Sequence, residues 1–204
     1  MCRSSRVAGA FAVASLVATA TLAAQGLRPK FGVAAGMAVP TGAYHSAASG
    51  EGFNSGWQGT ALVTLTVPGW PVGLRMDGTY STHGANDQLK ADLTASIGQP
   101  TDEKTKLFGV NVDATYPSGS TSRVQPYALG GMGAYHVTIS VTSGGSTSDN
   151  SATRFAWNLG GGVRYRMRGT TLFLEARYVD VTAVAGFPKT TFLPITAGIR
   201  FGSP

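Results

Sequence analysis

The sequence has few charged residues for its length of 204 residues. Asp, Glu, Lys and Arg make up 13% of the chain, about half of the ~25% that is usual in soluble domains. The formal net charge is +6, and Arg3 and Arg6 supply two of these charges near the N-terminus. The remaining basic residues are scattered, whereas a nucleic-acid-binding surface needs Lys and Arg clustered on one face. Nucleic acid is therefore not expected as a partner.

The sequence also lacks cysteine, apart from Cys2. A single cysteine cannot form an internal disulfide. Because Cys2 precedes the apolar part of the N-terminal segment, it also cannot be the lipidated residue of a mature lipoprotein.

Long hydrophobic runs are missing after the N-terminus. Residues 1–25 predict a cleaved signal peptide, with two arginines, an apolar run from Val7 and small residues before cleavage near Ala23 to Gln25. No later run approaches the ~20 apolar residues that a spanning helix needs. We therefore expect an exported chain with one domain, residues 26–204.

What the sequence has instead is glycine, 28 residues in all, and alternation of apolar and polar residues. Side chains of a strand alternate between its two faces, so period two predicts strands with one apolar face. The strongest case is the predicted hairpin 153–181, with its turn at Arg168-Gly169. There Arg154, Ala156, Asn158, Gly160, Gly162, Arg164 and Arg166 share one face with Phe173, Glu175 and Arg177. The other predicted strands are 30–39, 57–67, 72–80, 106–116, 125–141 and 191–201.

The predicted connections alternate in length. Residues 40–56, 81–105, 142–152 and 182–190 are long and polar, and the links near 68–71, 117–123 and 168–169 are short. This alternation is typical of an all-β, eight-stranded antiparallel up-and-down transmembrane β-barrel, whose outer face is apolar. A soluble ligand-binding barrel is the main rival, but it would display glycine outside and enclose the aliphatic residues. With an even strand number, both termini are expected on the short-turn, periplasmic side.

Aromatic residues support the membrane interpretation, because aromatic side chains of membrane barrels collect at both interfaces. One girdle is predicted from Phe31, Tyr116, Tyr127, Tyr165 and Phe201. The other is predicted from Trp57, Tyr80, Phe108, Phe155, Trp157 and Tyr178.

The chain resembles the small outer-membrane β-barrels of the OmpA, OmpX and opacity-protein type. The resemblance rests on the eight-strand pattern, on WNLGGGVRYRM and LFLEARYVDV, and on a last strand that ends in Phe201. It implies location in the outer membrane of a Gram-negative-type cell, with outer-membrane lipids and lipopolysaccharide as surroundings. It also implies a monomer whose Phe201 is an assembly signal read by the barrel assembly machinery, although Gly202, Ser203 and Pro204 follow that residue.

The predicted interior carries charged residues that need partners, because an unpaired buried charge is costly. We predict a lumen network of Glu175, Arg164, Arg177, Arg75, Asp77, Asp113 and Arg200, in which Glu175 bridges Arg164 and Arg177. Such a network would close the lumen. A narrow conduit is the alternative interpretation.

Histidines offer no metal site, and no metal or other cofactor is expected: His45 and His83 lie in separate predicted loops. His136 is placed inward with Thr138 and Ser140, and opposite Asn158 if the 142–152 loop closes symmetrically. Lipid A hydrolases that pair histidine with serine raise a catalytic hypothesis. However, Ser140 on the same strand would lie roughly 13 Å from His136, too far for direct activation.

The function expected is therefore non-enzymatic: an integral outer-membrane barrel with a side-chain-filled lumen and four external loops, in a structural or surface-interaction role. The alternatives are a lipid A-modifying hydrolase and a narrow small-solute channel. The sequence names no ligand for the loops.

Overall fold

The computed structural model describes residues 28–46, 52–66, 69–117 and 122–202, and the predicted signal peptide lies outside these ranges. The strands are β1 (Arg28–Pro40), β2 (Gly56–Thr66), β3 (Gly73–Gly84), β4 (Thr101–Pro117), β5 (Val124–Ser143), β6 (Ser146–Met167), β7 (Thr170–Val181) and β8 (Thr190–Phe201). A 3₁₀ helix (Gly42–His45) follows β1, and an α-helix, α1 (Asp87–Ile97), lies between β3 and β4.

The eight strands form one closed antiparallel barrel in sequence order. β1 pairs with β8 to close it, for example at Val33 and Ile199. The predicted hairpin register is confirmed, with Arg164 opposite Phe173 and Gly162 opposite Glu175. The predicted fold class is therefore confirmed, and its closure leaves neither β1 nor β8 as an open edge.

The predicted faces are also confirmed for seven of the strands, but that of β5 is wrong. Leu129, Tyr135 and Val137, expected outside, are at most 3% exposed, and His136, expected inside, is exposed. Between its centre and the end that carries the long connections, the lumen is apolar. Val137 packs there in one cluster with Leu107 and Phe192. With an apolar lumen on one side and a lipid-facing surface on the other, hydrophobicity cannot distinguish the two faces of this strand.

Ten of the eleven predicted girdle aromatics are exposed on the outer face. Tyr127 is the exception, because it belongs to β5 and points into the lumen, where its hydroxyl reaches Glu175. We call the two ends of the barrel the short-turn rim, near Phe31 and Phe201, and the long-loop rim, near Trp57 and Trp157. The membrane-spanning part lies between these girdles.

A cap covers the lumen at the long-loop rim. Tyr44 of the 3₁₀ helix and Leu89 of α1 form one buried cluster with Phe53 and Ala85, which pair in an isolated bridge. The helix begins at Asn86, whose side chain accepts a hydrogen bond from the Leu89 N–H at 2.8 Å, and ends at Gly98 in the left-handed region. Among the described residues, none of the helices is both long and apolar enough to cross a bilayer.

A ribbon extends from the same rim. Residues 142–152, expected to be a loop, are mostly paired strand, with a tight turn at Gly144-Gly145, both at positive φ. This turn lies before the middle of the expected loop, so His136 faces Thr153 and not Asn158. Asn158 instead faces Gly131. We call residues 138–151 the polar ribbon because most of them are Ser, Thr, Asn, Asp or Gly.

Candidate functional site

The centre of the lumen is occupied by a salt-bridge network, and Arg177 is its hub. All three donor nitrogens of this guanidinium meet carboxylates: Nη2 lies 2.5 Å from Asp77, Nη1 2.9 Å from Asp113 and Nε 2.5 Å from Glu175. Side chains on β3, β4 and β7 are thereby joined. Because these strands run through one closed barrel, the carboxylates converge on Arg177 from different sides of the lumen.

Arg75 is the second cation of the network. Its Nε lies 2.6 Å from Asp77 Oδ1 and its Nη1 lies 2.6 Å from Glu175 Oε2. β3 and β7 are four strands apart in a ring of eight, so the bridge from Arg75 to Glu175 crosses the full width of the barrel. Two guanidinium groups thus face three carboxylates, which leaves one negative charge in excess.

Neutral hydrogen-bond donors add further contacts to the carboxylates of the network. The Tyr127 hydroxyl donates to Glu175 Oε2 at 2.6 Å, and the Asn158 amide donates to Asp113 Oδ1 at 2.8 Å. Nearer the long-loop rim, the Asn111 amide donates to the Tyr135 hydroxyl at 3.2 Å. Buried polar networks are stable only when their members are satisfied, and Tyr127 and Asn158 supply contacts to the carboxylates that the two arginines leave open.

Inward glycines make room for the lumen aromatics. A Cβ at Gly109 would lie 2.5 Å from the Tyr135 ring, and one at Gly162 would lie 2.9 Å from the Tyr127 hydroxyl. A Cβ at Gly198 would lie 2.4 Å from the Phe173 ring. Such distances are closer than packed carbon atoms tolerate. The high glycine content therefore serves a narrow lumen that is filled by side chains.

The predicted network residues divide into two groups. Arg75, Asp77, Asp113, Glu175 and Arg177 come together as described. Arg164 and Arg200 do not join these salt bridges and lie nearer the short-turn rim. Glu175 was expected to bridge Arg164 and Arg177, and the structure places Arg75 where Arg164 was expected.

Arg164 has a different contact: its guanidinium lies 5.4 Å from the centre of the Tyr127 ring. Tyr127 therefore stands between Glu175 and Arg164, with its hydroxyl toward the acid and its ring toward the cation. Sequence reasoning missed Tyr127 because it gave β5 the wrong phase. The inward Gly162 opposite this residue was the available signal, since glycine often faces a large side chain across a crowded sheet.

His45 is exposed at the end of the 3₁₀ helix, and the other two histidines have different surroundings. His136 is exposed on the outer face, where Nδ1 lies 3.1 Å from the Thr153 hydroxyl oxygen. The inward placement beside Ser140 is therefore wrong. His83 lies above the long-loop girdle, outside the membrane-spanning part, and is fully buried against Tyr44 and Phe192. Burial lowers the pKa of His83 to about 4, although a contact with the Asn54 carbonyl opposes the shift.

Comparison with protein families gives a match over nearly the whole chain. The model described as "Outer membrane protein beta-barrel domain" matches residues 9–201. No curated protein sequence matches the chain with significance.

Several solved structures share the fold. Neisserial surface protein A is 22% identical, with a TM-score of 0.55 over 86% of this chain and 96% of that one. A major outer membrane protein from Thermus thermophilus is 14% identical, with a TM-score of 0.60 over 85% and 99%. Ail, the attachment invasion locus protein of Yersinia pestis, is 15% identical, with a TM-score of 0.50 over 86% and 97%. At these identities the likeness concerns the fold.

Proposed function

The chain belongs to the outer membrane protein beta-barrel domain family, and we propose that it is a closed, non-enzymatic barrel with a structural or surface-interaction role. It is an outer-membrane protein, so its apolar outer face lies among membrane lipids. The proposal concerns what the lumen and the long-loop rim do in that setting.

The network that crosses the lumen is the observation that carries this proposal. Arg75 and Arg177 each contact acids on both β3 and β7, and the side chains involved are at most 7% exposed. Ions that pass the lumen would have to displace these charge-assisted contacts, which are among the strongest polar contacts in proteins. We infer that the barrel does not conduct.

The long-loop rim supports the surface role. In the polar ribbon, β6 pairs with β5 from Ser146 onward, whereas its pairing with β7 begins only at Ala156. Over residues 146–154 the second edge of β6 therefore has no strand partner among the described residues. An open strand edge with polar side chains can accept an extended segment from a partner protein.

Conductance in a planar bilayer tests the closed lumen. We expect wild-type protein to give no steady single-channel current. The variant Arg177→Ala should raise conductance if it folds, because it removes the hub. Leu174→Ala removes an outward side chain on the same strand and serves as the control. A steady wild-type current, or equal currents in both variants, would contradict the proposal and favour the small-solute channel.

Orientation is tested on intact cells. If the long-loop rim faces outward and both termini face the periplasm, external protease should cut within 81–105 or the polar ribbon. A tag after Pro204 should remain hidden until the outer membrane is permeabilised. Surface staining of that tag in sealed cells would show that the barrel has the opposite orientation. The surface role would then lose its basis.

The hydrolase alternative has its own test. His136→Ala should leave the lipid A of the producing cells unchanged when it is compared by mass spectrometry with wild type. A lipid A species that is present with wild type and lost with the variant would establish the enzyme instead.

Assembly follows from the same family membership. We propose that Phe201, half exposed at the end of β8 and paired with Phe31, is read by the barrel assembly machinery, and that the folded barrel is a monomer.

A further inference from the structure

A pocket opens at the short-turn rim, on the other side of the lumen from the cap. It has a volume of 380 Å³ and lies between the ends of several strands. At about 30 Å³ for each water molecule, it has room for on the order of a dozen waters. It is therefore large enough for an inorganic ion together with a small organic group.

The polar lining of this pocket has one sign of charge. Lys30, Arg164, Arg166 and Arg200 all line it, and none of its described lining residues is Asp or Glu. The acids of the lumen network are already engaged with Arg75 and Arg177. Four cations therefore share a concave site without a carboxylate on its described walls.

Two of these cations have unused hydrogen-bonding capacity. The Nε atoms of Arg164 and Arg200 are buried and have no hydrogen-bond partner among the residues that the structure describes. Arg164 places its guanidinium over the Tyr127 ring, and Arg200 donates a hydrogen bond to the Thr64 hydroxyl at 3.5 Å. Buried, unsatisfied donors on charged groups are costly, and an anion in the pocket would relieve that cost.

The pocket narrows sharply toward the network. Leu62, Phe173 and Ala34 form an apolar cluster inside the barrel. Leu62 and Phe173 line a small void of 20 Å³, which also touches Arg164 and Arg200 of the pocket and Arg75 of the network. An anion that enters from the short-turn side would therefore meet this constriction next to Arg164 and Arg200.

The walls favour an organic phosphate over a simple carboxylate. Trp70, Pro71, Pro117 and Met167 add apolar surface beside the cations. Guanidinium groups match phosphate oxygens in a bidentate way, and the two charges of Arg164 and Arg200 exceed what one carboxylate would neutralise. The geometry points to a binding site for a phosphate-bearing molecule in this pocket, with the phosphate held by Arg164 and Arg200.

Binding can be measured on the refolded barrel in dodecyl maltoside, a detergent without phosphate. The probes are inorganic phosphate, glycerol 3-phosphate and short-chain phosphatidic acid, which separate a free ion, a soluble ester and a lipid headgroup. Acetate at equal ionic strength controls for the carboxylate class. We expect saturable binding of at least one phosphate probe and weaker binding of acetate.

Variants locate the site. Arg164→Gln combined with Arg200→Gln should weaken binding about tenfold or more, because charge-assisted hydrogen bonds are lost. Arg168→Gln is the control, since Arg168 belongs to the adjacent turn and does not line the pocket. Heat-modifiable mobility in gels reports whether each variant is folded.

A second measurement needs no variant. The protein has three tryptophans, and only Trp70 lines the pocket. In ¹⁵N-indole NMR spectra, a phosphate probe should shift the Trp70 signal and leave those of Trp57 and Trp157 unchanged. No saturable phosphate binding, equal acetate binding, equal loss in Arg168→Gln, or shifts at all three indoles would each overturn the inference.

Discussion

Removing Arg177 should destabilise the barrel more than any other single change in the lumen network. Arg177→Gln deletes three contacts, with Asp77, Asp113 and Glu175. Arg75 would then be the only cation for three carboxylates, and the excess of negative charge would rise from one to two. Asp113 would keep only its hydrogen bond from Asn158.

The matched change Glu175→Gln should cost less. It also removes ionic contacts, but Arg75 and Arg177 both keep Asp77, and Arg177 keeps Asp113 as well. The excess charge of the network then falls to zero. Breaking a buried pair so that a charge is left uncompensated costs about 3–5 kcal/mol, which we expect for Arg177→Gln. Loss of charge-assisted hydrogen bonds without an orphaned charge costs about 1.5–3 kcal/mol, which we expect for Glu175→Gln.

The double variant completes the comparison. Arg177→Gln with Glu175→Gln removes the cation together with one of its acids, so the excess charge returns to one. The two changes share contacts, and their effects should therefore be less than additive. Arg168→Gln, which changes a charge in the tight turn outside the network, should shift stability by less than about 1 kcal/mol.

The assay is urea unfolding in detergent micelles, followed by tryptophan fluorescence and by heat-modifiable mobility in gels. Two results would refute the reasoning. If Glu175→Gln is at least as destabilising as Arg177→Gln, charge balance does not control the site. If Arg177→Gln unfolds like wild type, water in the lumen screens the charges and the network does not close it.

The remaining predictions concern other parts of the barrel. Burial lowers the pKa of His83 to about 4, so the folded state resists protonation of this side chain. The free energy of unfolding should therefore be constant above about pH 6.5 and fall by at most about 3 kcal/mol toward pH 4. In His83→Gln, urea unfolding should vary less with pH over that window, and a pH profile equal to that of wild type would contradict this. Gly198→Ala should cost about 1–3 kcal/mol because its Cβ would press on the Phe173 ring, whereas Gly78→Ala points into open space and should be tolerated in the same titration. Phe201→Ala should lower the yield of folded barrel in outer membranes, and Phe201→Tyr should restore it; normal yield of the alanine variant would show that no aromatic signal is needed.

The local alternation of apolar and polar residues predicts most of the fold. In β6 and β7 one face is aliphatic or aromatic and the other carries Arg164, Glu175 and Arg177, so both the pairing and the inward face could be predicted. The cap was harder to see, although Asn86 and Gly98 mark the two ends of α1 in the sequence. Its helix lies within a polar stretch whose weak amphipathicity gives little periodic signal.

The phase of β5 and the partner of Glu175 were decided only by the tertiary structure. Val137 and Tyr135 resemble lipid-facing residues, but the upper lumen is itself apolar, so burial there does not follow from hydrophobicity. The register of the neighbouring strands β6 and β7 places Glu175 diagonal to Arg164, and this register could be predicted from the sequence. Its actual partner, Arg75, comes from the opposite wall, 100 residues away in the chain. Which side chains meet across the lumen depends on the registers of all the intervening strand pairs added around the closed barrel, and that sum is a property of the whole sheet and not of any one segment.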